Sequence, residues 1–312
     1  ILVTNSFGPF KIVNNRLEAT GENFLSGGQE PTIEGLVPSD FEFRSNYFFK
    51  PDAWNKNSPE YNGYDWSVKN LFELKNAQRV LLDGNVFENS WADSQIGYAI
   101  LLTPTIQGSV ADWTAVRDVT IHNNIVTDAR VFVSMTGSRT VNAPAYPEQL
   151  ERVSIKNNLA TDITYRMLEL NANSAGPIID LSITHNTLLF APGVLGNAMI
   201  STDGNSAGWP VVERFEITDN IMSHSKYGHH IGGNVPMENI YIESFDWRNN
   251  VIIGGSRNVP ESNYDPFEFL IVDSVDDVGF VDWLTGDYRL SESSDFLGLA
   301  TDGEDIGADL AP

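Results

Sequence analysis

Val119-Thr120-Ile121-His122-Asn123-Asn124-Ile125-Val126 carries the pattern that decides the fold: apolar residues at i and i+2, an asparagine at i+5, and a further apolar residue at i+7. Alternation at period two marks a strand with one buried face. The residue after such a strand must turn the chain sharply. Asparagine tolerates the left-handed backbone conformation that this needs and bonds locally to the backbone.

The pattern recurs along the chain. Before this copy stand Phe10/Ile12/Asn15/Leu17, Phe41/Phe43/Asn46/Phe48 and Val80/Leu82/Asn85/Phe87. After it come Val153/Ile155/Asn158/Ala160, Leu181/Ile183/Asn186/Leu188, Phe215/Ile217/Asn220/Met222 and Phe245/Trp247/Asn250/Ile252. The asparagines are 31, 39, 39, 34, 28, 34 and 30 residues apart. Steps of this size fit three short strands and three turns per copy, with the longer steps holding inserted loops, which in solenoids crowd one face. Stacked copies would bring the asparagines about 4.8 Å apart, close enough for an amide ladder. No window sustains helical periodicity, and β-branched residues dominate the repeats. The expected architecture is an all-β, single-stranded right-handed parallel β-helix of about eight or more coils. Residues 1–255 form the coils and 256–312 a C-terminal loop and capping segment of the same domain.

A second strand set lies between the asparagines: Leu71–Lys75, Ala99–Thr103, Val131–Met135, Leu168–Asn171 and Ala198–Thr202. Alternation turns Phe72, Leu74, Ile100, Leu102, Val131, Val133, Leu168, Leu170, Ala198 and Ile200 inward. The outward row then holds Glu73, Lys75, Leu101, Thr103, Phe132, Ser134, Glu169, Asn171, Met199, Ser201 and Asp203, a surface expected to run along the solenoid axis.

Composition narrows the partners. The 312 residues are 41% hydrophobic and 20% charged, and the formal charge is −23. Such an acid excess disfavours nucleic acid, and a polyanionic sugar would need a local basic cluster or a bridging cation. There is no cysteine, so disulfides, thiol catalysis and cysteine-based zinc sites are excluded. No run approaches the roughly 20 apolar residues of a membrane-spanning helix. The sequence starts at Ile1 and runs directly into Leu2-Val3, which reads as a processed or truncated form missing N-terminal coils.

Three stretches together give the chain a family likeness: the asparagine-centred coils such as Pro9-Phe10-Lys11-Ile12-Val13-Asn14-Asn15, the segment Trp66–Asn76, and the ending with Gly279-Phe280-Val281-Asp282, Asp287-Tyr288-Arg289-Leu290 and Asp302–Ala308. The chain resembles the bacterial right-handed parallel β-helix repeat proteins of the pectate-lyase-like superfamily. That resemblance implies a secreted or periplasmic protein acting on, or binding, a polysaccharide. The superfamily includes lyases and hydrolases of acidic polysaccharides, epimerases, phage tailspikes and adhesins, and one solenoid hosts many functions.

Candidate chemistry follows from the likeness and the residues together. Lyases of the superfamily remove a proton beside a carboxylate with a lysine or arginine base, often with calcium neutralising the carboxylate. Here Lys69, Glu73 and Lys75 share a strand region, with Arg130 and Arg166 on later coils; the alternative is a plain Glu73–Lys75 ion pair. Hydrolases of the superfamily place aspartates on successive coils near a Gly-His-Gly. Asp203-Gly204 and Gly228-His229-His230 echo this faintly, and Glu169 with Asp203 would supply two carboxyls. The expected catalytic set is therefore Lys75, Glu73, Arg130, Glu169 and Asp203. Trp54, Tyr61, Tyr64 and Trp66, with Lys69 and Trp91, are expected to bind substrate, since sugar rings stack on aromatic faces; the alternative is that these aromatics cover the core. Calcium is an open cofactor, with Asp276-Asp277 and the acidic ending as either ligands or a capping turn. The leading expectation is a polysaccharide lyase, with a non-catalytic carbohydrate-binding or surface protein and a glycoside hydrolase as alternatives.

Overall fold

A computed structural model describes residues 1–29, 31–108, 111–141, 145–171, 176–202, 209–231, 237–254 and 269–309. The chain is a parallel β-helix. Its ladder sheet runs from Phe10–Val13 through eight strands to Tyr241–Arg248; the second sheet, of nine strands, runs from Arg16–Glu18 to Phe269–Val272; the third, of eight, runs from Leu2–Val3 to His229–Ile231. Each coil contributes one strand to each sheet in turn. Neighbouring coils pair in parallel, as Val80, Val119 and Val153 do in the ladder sheet. Every inward residue therefore stacks on its equivalent, and one continuous apolar core fills the tube. In the first coils that core is aromatic, with Phe10 stacked on Phe41 at 4.4 Å and Phe48 on Phe87 at 4.5 Å. It becomes aliphatic around Val119, Ile121, Val126 and Ile155.

The asparagine ladder forms as the spacing predicts. From Asn15 to Asn250, each side-chain amide donates to the Oδ1 of the next coil's asparagine at 2.9–3.1 Å. The same Oδ1 also accepts the backbone N–H of the asparagine below. One detail differs from expectation. The left-handed residue is not the ladder asparagine but the one before it: Asn14, Ser45, Gly84, Asn123, Asn157, His185, Asp219 and Asn249 all have φ between 51° and 65°. The turn is made one residue early, which leaves the ladder side chain pointing inward to bond instead of turning.

The third sheet departs further from simple alternation. Leu71-Phe72, Ala99-Ile100, Phe132-Val133, Met167-Leu168 and Met199-Ile200 all belong to the core as consecutive pairs. Phe132 and Met199, expected on the outer face, are therefore inward, because the chain turns a corner as each strand begins. Tyr98 and Arg166, which precede these pairs, reach the outer face instead and bond to the outward Glu169.

The C-terminal segment docks along the side of the coils. A short helix, Val275–Val278, opens with Ser274 and Asp277 in a capping box, and Phe280–Asp282 pairs antiparallel with Asp287–Leu290. The chain then straps across the ladder corner: Thr301 donates to Asp219, Gly307 to the Asp219 carbonyl, and Asp309 exchanges hydrogen bonds with Asn157. Among the described residues no helix is long and apolar enough to cross a membrane.

Candidate functional site

The chain passes from the second sheet to the third at a corner of very unequal turns. A single residue, Arg130, separates Ile125–Ala129 from Val131–Thr136, whereas a long loop separates Tyr47–Phe49 from Phe72–Leu74. Backbone bonds stack these turns rung on rung: Arg130 N–H donates to Ser90 O at 2.7 Å, and Tyr165 N–H to Arg130 O at 3.0 Å. Trp91, Arg130 and Tyr165 thus lie on successive coils of one edge.

The long loop holds the expected aromatics together. Trp54 and Tyr64 flank Trp66 with ring centroids at 5.7 and 6.0 Å, and Tyr64 is 67% exposed. Asn62 Oδ1 fixes the cluster by accepting from Trp66 Nε1 and Tyr64 N–H. None of Trp54, Tyr61, Tyr64, Trp66 or Trp91 belongs to a core cluster or to the partly buried residues packed against one. Asp93, on the next coil's loop, ties the two insertions by accepting from Val68 N–H at 2.8 Å and pairing with Lys56. That amide bond, foremost, holds its carboxyl below the usual range.

Lys50, at the root of this loop, is fully buried. Its ammonium donates to the carbonyls of Ala19, Thr20 and Gly21 and to Asn23 Oδ1, at 2.6–3.2 Å. Burial pushes the amine down to about 7. Lys69 is also engaged, 3.3 Å from Glu22, and so anchors the loop to the first coil.

Above the loop, two guanidinium groups share one ring: Arg130 lies 4.3 Å and Arg166 4.6 Å from the Tyr165 centroid. Arg166 is committed elsewhere too, donating to Glu169 Oε2 at 2.7 Å, Asn197 Oδ1 at 3.0 Å and the Tyr165 hydroxyl at 3.2 Å. Glu169 Oε1 accepts from Tyr98, Ser134 and Asn171, which saturates the carboxylate. Burial first, and then the adjacent Glu169 charge, pushes the Tyr98 phenol up. Arg130 is different. Its Nε is buried without a hydrogen-bond partner, and no described carboxylate lies within ion-pair distance. Along the coils, Arg79, Arg152 and Arg214 each bond an aspartate one coil below.

The outward row is not the open ridge that alternation implies. Glu73, Leu101, Ser134, Glu169 and Ser201 stack in register, yet Glu73, Ser134, Glu169 and Ser201 are buried. Glu73 is paired with Lys75 at 2.9 Å and bonded by Asn70 at 3.0 Å, so the ion pair forms but is shielded. Three rungs separate Glu73 from Glu169, about 14 Å along the axis. That is beyond the carboxyl separation used for glycoside hydrolysis. Asp203 lies outside the described residues. His229 faces the core, with Nε2 2.6 Å from the Tyr241 hydroxyl, and burial pushes it down to about 4. It is a neutral packing residue at ordinary pH.

The acidic ending is occupied with local structure. Asp302 meets His185 Nε2 at 3.1 Å, Asp305 Oδ1 accepts Gly298 N–H, and Asp276 accepts Trp283 Nε1. Among the described residues no three His, Asp or Glu side chains converge to hold a metal ion.

The structure thus gathers Trp54, Tyr64 and Trp66 in one cluster, Arg130 with Glu169 through Tyr165 and Arg166, and Glu73 with Lys75. Sequence reasoning missed Tyr165, Tyr98 and Asn197. Their signal was positional: Arg130, Tyr165 and Asn197 each immediately precede a third-sheet strand. The chain matches no protein-family model, no curated protein and no solved structure.

Proposed function

We propose that this protein binds an acidic polysaccharide along the corner between its second and third sheets, with Arg130 receiving a uronate carboxylate. The observation that carries this reading is Arg130 itself. In a chain of formal charge −23, a half-buried guanidinium stacked on Tyr165 has no carboxylate of its own among the described residues. A planar guanidinium matches a carboxylate through paired hydrogen bonds, which the terminal nitrogens of Arg130 can offer. The Trp54–Tyr64–Trp66 cluster, with Tyr64 exposed, offers aromatic faces for sugar rings on the same edge two coils below.

This reading keeps the polysaccharide partner expected from the pectate-lyase-like resemblance, and with it a secreted or periplasmic bacterial setting. It moves the site. Lys75 and Glu169 are each tied to a counter-charge, so neither is the base on which a lyase mechanism rests. β-Elimination remains the second reading because of one contact: the Tyr165 hydroxyl, beside Arg130, accepts a hydrogen bond from Arg166 and is a proton-exchanging group next to the proposed carboxylate position.

The test is a panel of pectate, alginate and unsulfated glycosaminoglycan, scored for binding and for absorbance of unsaturated ends, with and without calcium. Binding that Arg130→Ala removes supports the first reading. Absorbance that Tyr165→Phe abolishes while binding persists selects the second. A wild-type protein that binds none of the polymers overturns both.

A further inference from the structure

We propose that Lys226, stacked on Tyr227, is a second carboxylate subsite, so that a bound uronate chain runs parallel to the solenoid axis from the aromatic loop towards the last coils. This rests on the reading of Arg130 given above. A cation rests on a tyrosine ring at two levels of one corner, Arg130 on that of the next coil and Lys226 on its own neighbour. Lys226 Nζ lies 4.8 Å from the Tyr227 centroid, as Arg130 lies 4.3 Å from that of Tyr165. Lys226 is exposed and forms no ion pair with a described carboxylate, although acidic residues outnumber basic ones 42 to 19.

The two tyrosines are fixed relative to each other by backbone. Tyr165 N–H donates to Arg130 O, Asn197 N–H to Tyr165 O at 2.6 Å, and Tyr227 N–H to Asn197 O at 3.1 Å. Tyr165 and Tyr227 are thus two rungs apart, about 10 Å. Both rings border the third sheet. Tyr165 touches Arg166, which bonds the outward Glu169, and Tyr227 lies 5.2 Å from His230, which is in register with Ser201 of the same row. On the rung between, Asn197 presents a neutral carboxamide whose Oδ1 is taken by Arg166.

Rung by rung the column therefore reads Arg130, Tyr165, Asn197, Lys226. An extended chain of linked pyranoses advances by close to one rung per residue. Carboxylates three sugars apart would meet Arg130 and Lys226, about 14 Å along the axis, while the sugars between would meet Tyr165 and Asn197. A single uronate residue can use one subsite only, and the second adds affinity only when the ligand is long enough to span both.

The prediction is a dependence on ligand length. Calorimetry with uronate oligosaccharides of two and of six residues is run on wild type, Arg130→Ala, Lys226→Ala and Lys226→Arg. Lys226→Ala should weaken the longer ligand about five-fold, the effect of one exposed ion pair. It should leave the shorter one unchanged, and Lys226→Arg should restore the loss. Arg130→Ala should weaken both. Equal effects of Lys226→Ala on the two lengths, or none on either, would overturn the second subsite while leaving Arg130 standing. If wild type bound neither length, the underlying reading would fall as well.

Discussion

Two corners of the same coils teach opposite lessons. At the ladder corner every coil does the same thing: one left-handed residue, then an asparagine, buried from Asn46 onward, bonded to its ladder neighbours. At the corner between the second and third sheets the coils vary widely, with turns from the single residue Arg130 to the aromatic loop after Lys50. Uniformity follows from burial, because an amide removed from water must have every partner in place. Variation is tolerated where turns face solvent, and binding residues collect on such loops.

The largest effect is expected at the uniform corner. Asn124 bonds Asn158 through its side chain, accepts from Asn85, and donates to the carbonyls of Leu82 and His122. Asn124→Ala strands several of these groups and should cost about 3 kcal/mol, read by chemical denaturation. At the variable corner, Arg130→Ala should leave the denaturation midpoint nearly unchanged and weaken uronate binding about tenfold or more, the scale of a charge-assisted hydrogen bond. A ladder variant that unfolds nothing, or an Arg130 variant that unfolds the chain, would dissolve the contrast.

Lys50 sharpens it further, because it ties the variable loop to the core. Its folded pKa of about 7 lies below the ordinary lysine value of 10.5, with burial the main cause. Between those values the unfolded chain holds more protons, so this group's contribution to stability rises with pH from about 7 to 10.5 and is lost as pH falls through 7. Denaturation curves across that window should show the slope in wild type and lose it in Lys50→Met. Smaller still is Trp66→Ala, which should weaken sugar binding a few-fold through lost stacking. The smallest effect belongs to the exposed charge row before the ladder strands, in which Asp40, Arg79, Asp118, Arg152, Asp180 and Arg214 alternate in sign. Arg152→Ala should change stability by less than about 1 kcal/mol, since exposed ion pairs contribute little.

The fold was legible because a repeat writes the same physical demand many times. Eight asparagines at matching offsets from apolar pairs leave few architectures open. The charge row was equally written, in the residues just before Phe41, Val80, Val119, Val153, Leu181 and Phe215, but surface charge carries no periodic signature of burial and passed unread. The site was legible only in pieces. Strict alternation placed Phe132 and Met199 outside because it takes no account of the bend at a strand's first residues, where two consecutive side chains turn inward. For the same reason Tyr98 and Arg166 were not seen to reach Glu169. Arg130 was read as one of several basic residues; that it alone in its cluster lacks a carboxylate depends on partners scattered over three coils, which no local window contains.

Recognition of a carboxylate by Arg130 underlies the proposed function. The decisive comparison is calorimetric titration with a uronate oligosaccharide and with the same oligosaccharide after chemical reduction of its carboxyl groups to alcohols. Wild type should bind the acidic form and lose most of that affinity for the reduced form, while Arg130→Ala binds both equally weakly. Equal binding of the two forms by wild type would contradict it.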